Sequence, residues 1–328
     1  MEAKTKGIEH SSERKIRSHF SLDAWEGLNE DPKKISAKYL YDARGSQLFV
    51  DITDQDEYYL TQAELEIFST HRQHFFSDCL GPEFDLIEFG AGDGKKTKVL
   101  IEYFILEGKK FNYYPIDIST SALTGLVDQI SQEWPNLGCF GINKDYFDYL
   151  RERSSCSTRQ KVVLFTGSTI GNYQISERNE FFKNLHGSLN KNDIALIGFD
   201  LVKDVSLLNK AYNDRKGVTA QFNYNLLLRM NRELNTNFEV DQFYHYGFYN
   251  PLLRSMESYL ISKKLQEVQF PDFNSSIWFG REDPVHIEYS QKFTEQMIDQ
   301  FASDHNFVKI RNFSDQNSYF INSVWRVD

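Results

Sequence analysis

Short apolar runs alternate with stretches of helical periodicity through the middle of the chain. The runs are residues 85–89 (DLIEF), 111–116, 139–142, 161–166 (KVVLFT) and 193–201, and they read as buried strands. Between them, 95–106, 119–134 and 176–189 place apolar side chains three and four positions apart, as helices do, with Ser119 as a cap for the second. Strands and helices alternating at this spacing predict βαβ units and a mostly parallel sheet.

The flanks follow other rhythms. The first 20 or so residues are polar and charged and read as a loose arm. Residues 45–52 pattern as a short amphipathic helix capped by Ser46, and 61–76 as a longer one with Leu65, Ile67 and Phe68 among its apolar positions. Beyond Leu201 the rhythm breaks: 205–212 and 220–234 read as helices, and 240–284 carries aromatics and turn residues without a βαβ pattern. The end reads strand (285–293), helix (294–305), strand (307–310) and strand (319–326), the last two an antiparallel pair across the turn-rich 312–318. The expected architecture is α/β: a parallel sheet closed by an antiparallel hairpin, with an insertion at 202–284.

A chain of 328 residues makes one large domain or two grown together, and it needs no disulfide or metal staple. Cys79, Cys139 and Cys156 are widely spaced and odd in number, which reads as reduced thiols; no metal is expected. With 37 basic against 47 acidic residues the net charge of −10 repels phosphate backbones and anionic bilayers, so neither nucleic acid nor membrane is expected as a partner. No apolar run approaches a membrane span and the first residues lack a signal-like apolar core, so the expectation is a cytoplasmic monomer. Aromatics at 15%, including 18 Tyr, suit a pocket with apolar walls and hydroxyl tips.

The first chemical signal is Gly90-Ala91-Gly92-Asp93-Gly94, between the DLIEF strand and the 95–106 helix. In an open α/β sheet a ligand lies beyond the carboxyl ends of the strands, where glycines let it approach the backbone. Asp117 closes the next strand, 27 residues after Gly90, where a carboxylate can bind ribose hydroxyls. A dinucleotide fingerprint would put its third glycine where Lys95 stands. Glu88 before the loop and Asp117 after it disfavour a pyrophosphate and suit a cationic ligand with a free ribose, so S-adenosylmethionine fits better than NAD. Asp145-Tyr146 reads either as an adenine contact or as a helix cap followed by a core aromatic. Gly167-Ser168-Thr169-Ile170-Gly171-Asn172, after the fourth strand, reads either as crevice lining or as a plain turn.

Taken together with YDARGSQLF (41–49), EYY (57–59), YPIDIS (114–119), GVTAQFN (217–223), NREL (231–234) and EYSQKF (288–293), these motifs resemble the S-adenosylmethionine-dependent histidine Nα-methyltransferase family. Its members make Nα,Nα,Nα-trimethylhistidine (hercynine) for ergothioneine biosynthesis. The resemblance, from about residue 38 onward, implies a Rossmann-like methyltransferase sheet plus a smaller substrate-binding domain. Residues 1–60 and 202–284 would build the substrate domain, and 61–201 and 285–328 the methyltransferase core. It implies a cofactor set of Gly90, Lys96, Asp117, Asp145 and Tyr146. Tyr58, Gly167, Asn172 and Tyr212 would surround the amino acid head group, Glu288 and Ser290 the imidazole, and Tyr41 the reacting nitrogen. Ser258 stands where the family pattern has a methionine wall beside the ring, and Tyr146 where it has phenylalanine.

The implied reaction is an in-line displacement by the α-amine at a methyl carbon. Even peptide α-amines have a pKa of about 8, so the amine must first lose a proton, to water or to a polar neighbour such as Tyr41. Alignment would then supply most of the catalysis. The alternatives are a relative acting on another small amine, such as tryptophan or a modified histidine, an NAD-dependent oxidoreductase, or a non-catalytic binding module.

Overall fold

The computed structural model describes residues 18–117 and 120–328. Helices are α1 (His19–Asn29), α2 (Ala43–Thr53), α3 (Tyr59–His71), α4 (Lys95–Leu106), α5 (Thr120–Glu133), α6 (Tyr146–Cys156), α7 (Ile175–Gly187), α8 (Val205–Ala211), α9 (Val218–Leu234) and α10 (Glu295–Asp304). Strands β1 (Lys33–Lys34), β2 (Glu83–Phe89), β3 (Lys110–Ile116), β4 (Gly138–Cys139), β5 (Gln160–Phe165) and β6 (Ile194–Asp200) come first. They are followed by β7 (Phe243–Asn250), β8 (Ser255–Ser262), β9 (Gln266–Phe270), β10 (Ser275–Phe279), β11 (Pro284–Gln291), β12 (Phe307–Ser314) and β13 (Phe320–Val327).

The main sheet has the order β12-β13-β6-β5-β2-β3-β4, parallel from β6 to β4 and closed by β13 and β12 running antiparallel. Its central strands are apolar on both faces because helices cover both; every residue of β6 is buried. One core packs α7 and α10 against the sheet through Phe181, Phe182, Ile298 and Trp325. The other packs α3, α4 and α5 through Phe68, Leu100, Phe104 and Leu126.

A second sheet, β1-β11-β8-β7, has a core of its own, joined by the β9–β10 hairpin. There Phe20, Leu28, Leu40 and Leu48 from the first helices meet Phe222, Leu226 and Met230 of α9 and Leu260, Val285 and Ile287 of the strands. The two sheets are joined at one seam: Leu201 bridges Phe293, with Phe293 N–H donating to the Asp200 carbonyl and Val202 N–H to the Phe293 carbonyl, each at 2.8 Å.

The seam corrects one expectation. The sequence places residues 285–293 in the methyltransferase sheet, but β11 pairs antiparallel with β8, and its Val285 and Ile287 lie in the second core. Only the last two strands close the main sheet. The stretch 240–284, without legible period, forms β7 to β10. Residues 19–29 form α1, for which no element was expected, and the expected arm falls almost wholly outside the described residues. Asp42, not Ser46, caps α2 through its side chain on Gly45 N–H at 2.7 Å. Helix α3 ends at His71, short of the expected 76. The expected strand 139–142 shrinks to β4 plus a bridge between Ile116 and Ile142. The Ser119 cap lies outside the described residues.

Candidate active site

The carboxyl ends of the parallel strands carry the first group of residues. Gly90, Gly92 and Gly94 all have positive φ, 65°, 54° and 66°, which L side chains resist. A Cβ on Gly94 would stand 2.5 Å from Leu126, so this glycine lets α4 sit close to α5; a Cβ on Gly92 would meet only open space. Gly90 N–H donates to the Ile116 carbonyl at 2.8 Å, and Gly92 N–H to Asp117 Oδ2 at 3.1 Å. The loop is therefore folded onto the end of β3, with Asp117 at its mouth. Beneath it Glu88 accepts from Thr97 at 2.6 Å and from Tyr113, and burial pushes its carboxyl up to about 7.

Asp145 caps α6, accepting from the N–H groups of Phe147 (2.9 Å) and Asp148 (3.1 Å). Tyr146 stacks on Phe89 at 4.4 Å with its hydroxyl 3.4 Å from where a Gly90 Cβ would be. The cap-and-aromatic reading of this pair is therefore correct as structure, and the same geometry puts the Tyr146 hydroxyl at the glycine loop.

Lys96, in the first turn of α4, reaches Glu64 of α3 at 2.5 Å. The same carboxylate oxygen accepts Gly167 N–H at 2.8 Å, and the other accepts Asn322 at 2.8 Å. Glu64, almost fully buried, thus ties a residue of the expected cofactor set to one of the expected substrate set. Nothing in the sequence marked it, since a glutamate inside a helix is normally a solvated residue.

Asn172 ends a short turn (Thr169–Asn172) after β5, and Gly171 in that turn approaches β11 so closely that a Cβ would stand 2.8 Å from the Gln291 carbonyl. On β11, Glu288 and Ser290 share a face, and register pairs them with Ser258 and Met256 of β8. Ser258 donates to Glu288 Oε2 at 3.3 Å. Met256 joins Tyr58, Tyr59 and Tyr212 in one apolar cluster, so both the serine and a methionine line this face. Burial raises the Glu288 carboxyl above its ordinary value, with Lys292 and Ser258 pulling the other way.

Tyr212 Oη donates to Ser290 Oγ at 2.8 Å. Behind the tyrosine, His245 bonds the Tyr212 carbonyl at 3.0 Å and Asn223 at 2.9 Å, which accounts for the asparagine of GVTAQFN. Lys292 donates to both hydroxyls and pairs with Asp200, which Tyr59 and Lys203 also contact. Burial works against the Asp200 carboxylate, but Lys292 and Lys203 together hold its pKa below the ordinary range. Lys292, Asp200 and Lys203 escaped the sequence reading; the only available signal was the alternation 288, 290, 292.

Tyr41 is within electrostatic reach of both groups. Asp42 anchors it: the carboxylate accepts from Asn225 of α9 at 2.8 Å and from Arg232 at 2.5 Å, besides capping α2. Gly45 sits so close to the Leu40 carbonyl that no side chain fits. The ring packs edge-on against Phe49 (5.6 Å) and Phe222 (5.5 Å). Burial pushes its phenol far above the ordinary value, and Glu288, Tyr212, Asp117 and Tyr146 add to the shift. Tyr58 is raised likewise, by burial and then by Tyr212, Tyr41 and Glu288.

A glycine loop open at Gly92, a carboxylate at the end of the next strand, and a polar face of β11 with half-buried Tyr41 in electrostatic reach of both, mark a Rossmann-like nucleoside-binding class. The donor set fits a cationic nucleoside. The nearest ammonium in the loop's helix, Lys96, is already paired, and Lys95 is an exposed residue pointing to Asp93 (3.3 Å) and Asp54 (3.6 Å). Among the described residues no His, Cys, Asp and Glu cluster could hold a metal, and no helix is long and apolar enough to cross a membrane.

The profile of the histidine-specific, S-adenosylmethionine-dependent methyltransferases matches residues 20–327, and the chain belongs to that family. It is 33% identical over 300 residues to a histidine N-alpha-methyltransferase of Mycobacterium tuberculosis, covering 91% of this chain and 92% of the relative. The protein of that name from Mycolicibacterium smegmatis is 33% identical over 276 residues, 84% of this chain and 85% of the relative. Ergothioneine biosynthesis protein 1 of Neurospora crassa is 33% identical over 205 residues, 62% of this chain and 23% of that longer protein.

Proposed function

We propose that the protein transfers methyl groups from S-adenosylmethionine to the α-amino nitrogen of L-histidine, up to the trimethylated product hercynine. The observation that carries this reading is Tyr41, half-buried and within electrostatic reach of Glu288 and Tyr212 as well as of Asp117 and Tyr146. One side chain thus lies within reach of both the nucleoside crevice and the polar face of β11.

Gly90, Asp117, Asp145 and Tyr146 hold the nucleoside, Asp117 on the ribose and the Asp145–Tyr146 corner on the base, while Lys96 faces the amino acid tail. The cofactor supplies a sulfonium-bound methyl group as the electrophile. Tyr58, Asn172 and Tyr212 bind the histidine carboxylate without setting an unpaired cation beside that sulfonium, and Gly167 leaves room for the head group. Glu288 accepts from a ring N–H and Ser290 addresses the other ring nitrogen. The segments around the second core, 19–58 and 202–291, form the substrate side, and the main sheet forms the cofactor side.

The amine must arrive neutral. Tyr41 stays a phenol at neutral pH, so no phenolate is present to take the amine proton; the phenol orients the nitrogen, and the amine loses its proton to water. Alignment of nitrogen, methyl and sulfur is then the main source of rate. Incubating the purified protein with S-adenosylmethionine and the twenty free amino acids, with readout by mass spectrometry, tests the reading. Conversion of histidine alone to masses up to the trimethyl form supports it. Methylation of tryptophan or another amine instead retains the cofactor side and reassigns the ring pocket.

A further inference from the structure

Glu64 enters neither the cofactor set nor the substrate set, yet β6, β13 and the turn after β5 are all shaped around it. Its side chain is 1% exposed, and a Cβ on Gly198 of β6 would stand 2.6 Å from its Oε1, so that strand makes room for the carboxylate. Asn322 of β13 and the Gly167 N–H hold it in one orientation. A buried ion pair adds little stability over an apolar replacement, because desolvation offsets the attraction. The Lys96–Glu64 pair therefore calls for another reason.

That reason lies in charge. Lys96 stands in the first turn of the helix that follows the glycine loop, and its side chain retains 21% exposure. Among the described residues its ammonium donates only to Glu64, which leaves protons for an anionic group such as the carboxylate of the cofactor tail. Glu88, beneath the loop, feels both charges: the Lys96 ammonium pulls its pKa down and the Glu64 carboxylate pushes it up. The pair is thus close enough to the crevice to act on what lies there. S-adenosylmethionine and its spent form, S-adenosylhomocysteine, differ only in the sulfonium methyl and the positive charge that comes with it. An uncompensated lysine would attract the carboxylate of either ligand and would repel the sulfonium of the donor alone.

We propose that Glu64 is a specificity-determining residue: by cancelling the Lys96 charge, it lets that lysine hold the cofactor tail without disfavouring the sulfonium donor against the neutral thioether product. The inference rests on the cofactor side of the reading above and deepens it. Each successive methyl transfer leaves a thioether that a fresh sulfonium must replace, so the ratio of the two affinities governs how readily the next round begins.

Calorimetry at about pH 6, where Glu88 keeps its proton and both ligands carry a charged α-amine, gives the two Kd values without amino acid substrate. In Glu64→Gln the ratio of Kd for S-adenosylmethionine to Kd for S-adenosylhomocysteine should rise roughly three- to tenfold, the scale of one elementary charge acting across about 10 Å of protein. In Lys96→Met the ratio should fall, because the carboxylate, still held by Gly167 and Asn322, is left uncompensated. Glu64→Asp keeps the charge, so its ratio should stay within about twofold of wild type even where both affinities drop. Damage to the site weakens both ligands together and cancels in the ratio. An unchanged ratio in a folded Glu64→Gln overturns the proposal, as does a ratio that does not fall in Lys96→Met. The second variant, at a partly exposed position, decides the matter where the first fails to fold. A wild-type protein that binds neither ligand overturns the cofactor reading, and this inference with it.

Discussion

Lys96 and Gly167, from opposite sides of the crevice, meet on one carboxylate oxygen of Glu64, at 2.5 and 2.8 Å. Substituting Glu64→Gln keeps an acceptor for Gly167 but leaves Lys96 without its counter-charge. Breaking a buried pair costs about 3–5 kcal/mol, and Lys96 retains 21% exposure of its side chain, which moderates the loss. The expected destabilisation is about 2 kcal/mol, read from urea unfolding. A change below about 0.5 kcal/mol would mean that solvent already screens the Lys96 charge.

Glu88 gives stability a pH dependence of definite sign. Its carboxyl is pushed up to about 7 by burial, so the folded state binds its proton more tightly than the unfolded chain does. The favourable contribution is complete below about 4.3 and is lost as pH rises to about 7. Glu88→Gln lacks this titration. Stability of the variant minus that of the wild type should therefore increase by about 2–3 kcal/mol from pH 5 to pH 8, as denaturation at both pH values would reveal. A difference that is flat with pH would sink the assignment.

Tyr41→Phe separates orientation from proton transfer. Because the phenol is pushed far above its ordinary value by burial, it carries no charge at neutral pH. The rise of kcat/KM with pH should follow the substrate amine, levelling off at about 8 or above, in both wild type and variant. The variant should lose roughly tenfold in kcat through poorer alignment. Disappearance of the alkaline limb in Tyr41→Phe would instead make the phenol the proton acceptor.

Ser258→Ala should do little. Its bond to Glu288 is 3.3 Å long, near the outer limit for a useful hydrogen bond. The expected rise in KM for histidine is less than about fivefold, measured in steady-state assays beside Ser290→Ala. A larger loss would make the serine a true partner of the carboxylate.

Much of the crevice was legible because its signals are local. The glycines and Asp117 lie at strand ends whose positions the alternation of runs already marks, and Glu288 and Ser290 reveal a common face by their spacing alone. What stayed hidden depends on partners distant in the chain. Lys292 continues the period of 288 and 290, but its ion pair needs Asp200, which arrives from the other sheet across the seam. The same seam misled the assignment of β11. Helix α6 has a polar sequence, RERSSC, and stands where it does because Arg153 reaches buried Asp85 at 2.7 Å. Asp42 prevails over Ser46 as the cap because Asn225 and Arg232, some 180 residues on, also claim its carboxylate.

The core that unites Leu40 and Leu48 with Val285 and Ile287 also sets a timetable for synthesis. A ribosome adds about 5–20 residues per second, so roughly 10–50 s pass between emergence of the first helices and of the strand that covers them. Throughout that interval α1 and α2 have no finished surface to pack on, while the strands of the main sheet up to β6 emerge before its end. In a nascent chain this early segment is thus among the last to settle, and it is the one that presents Tyr41.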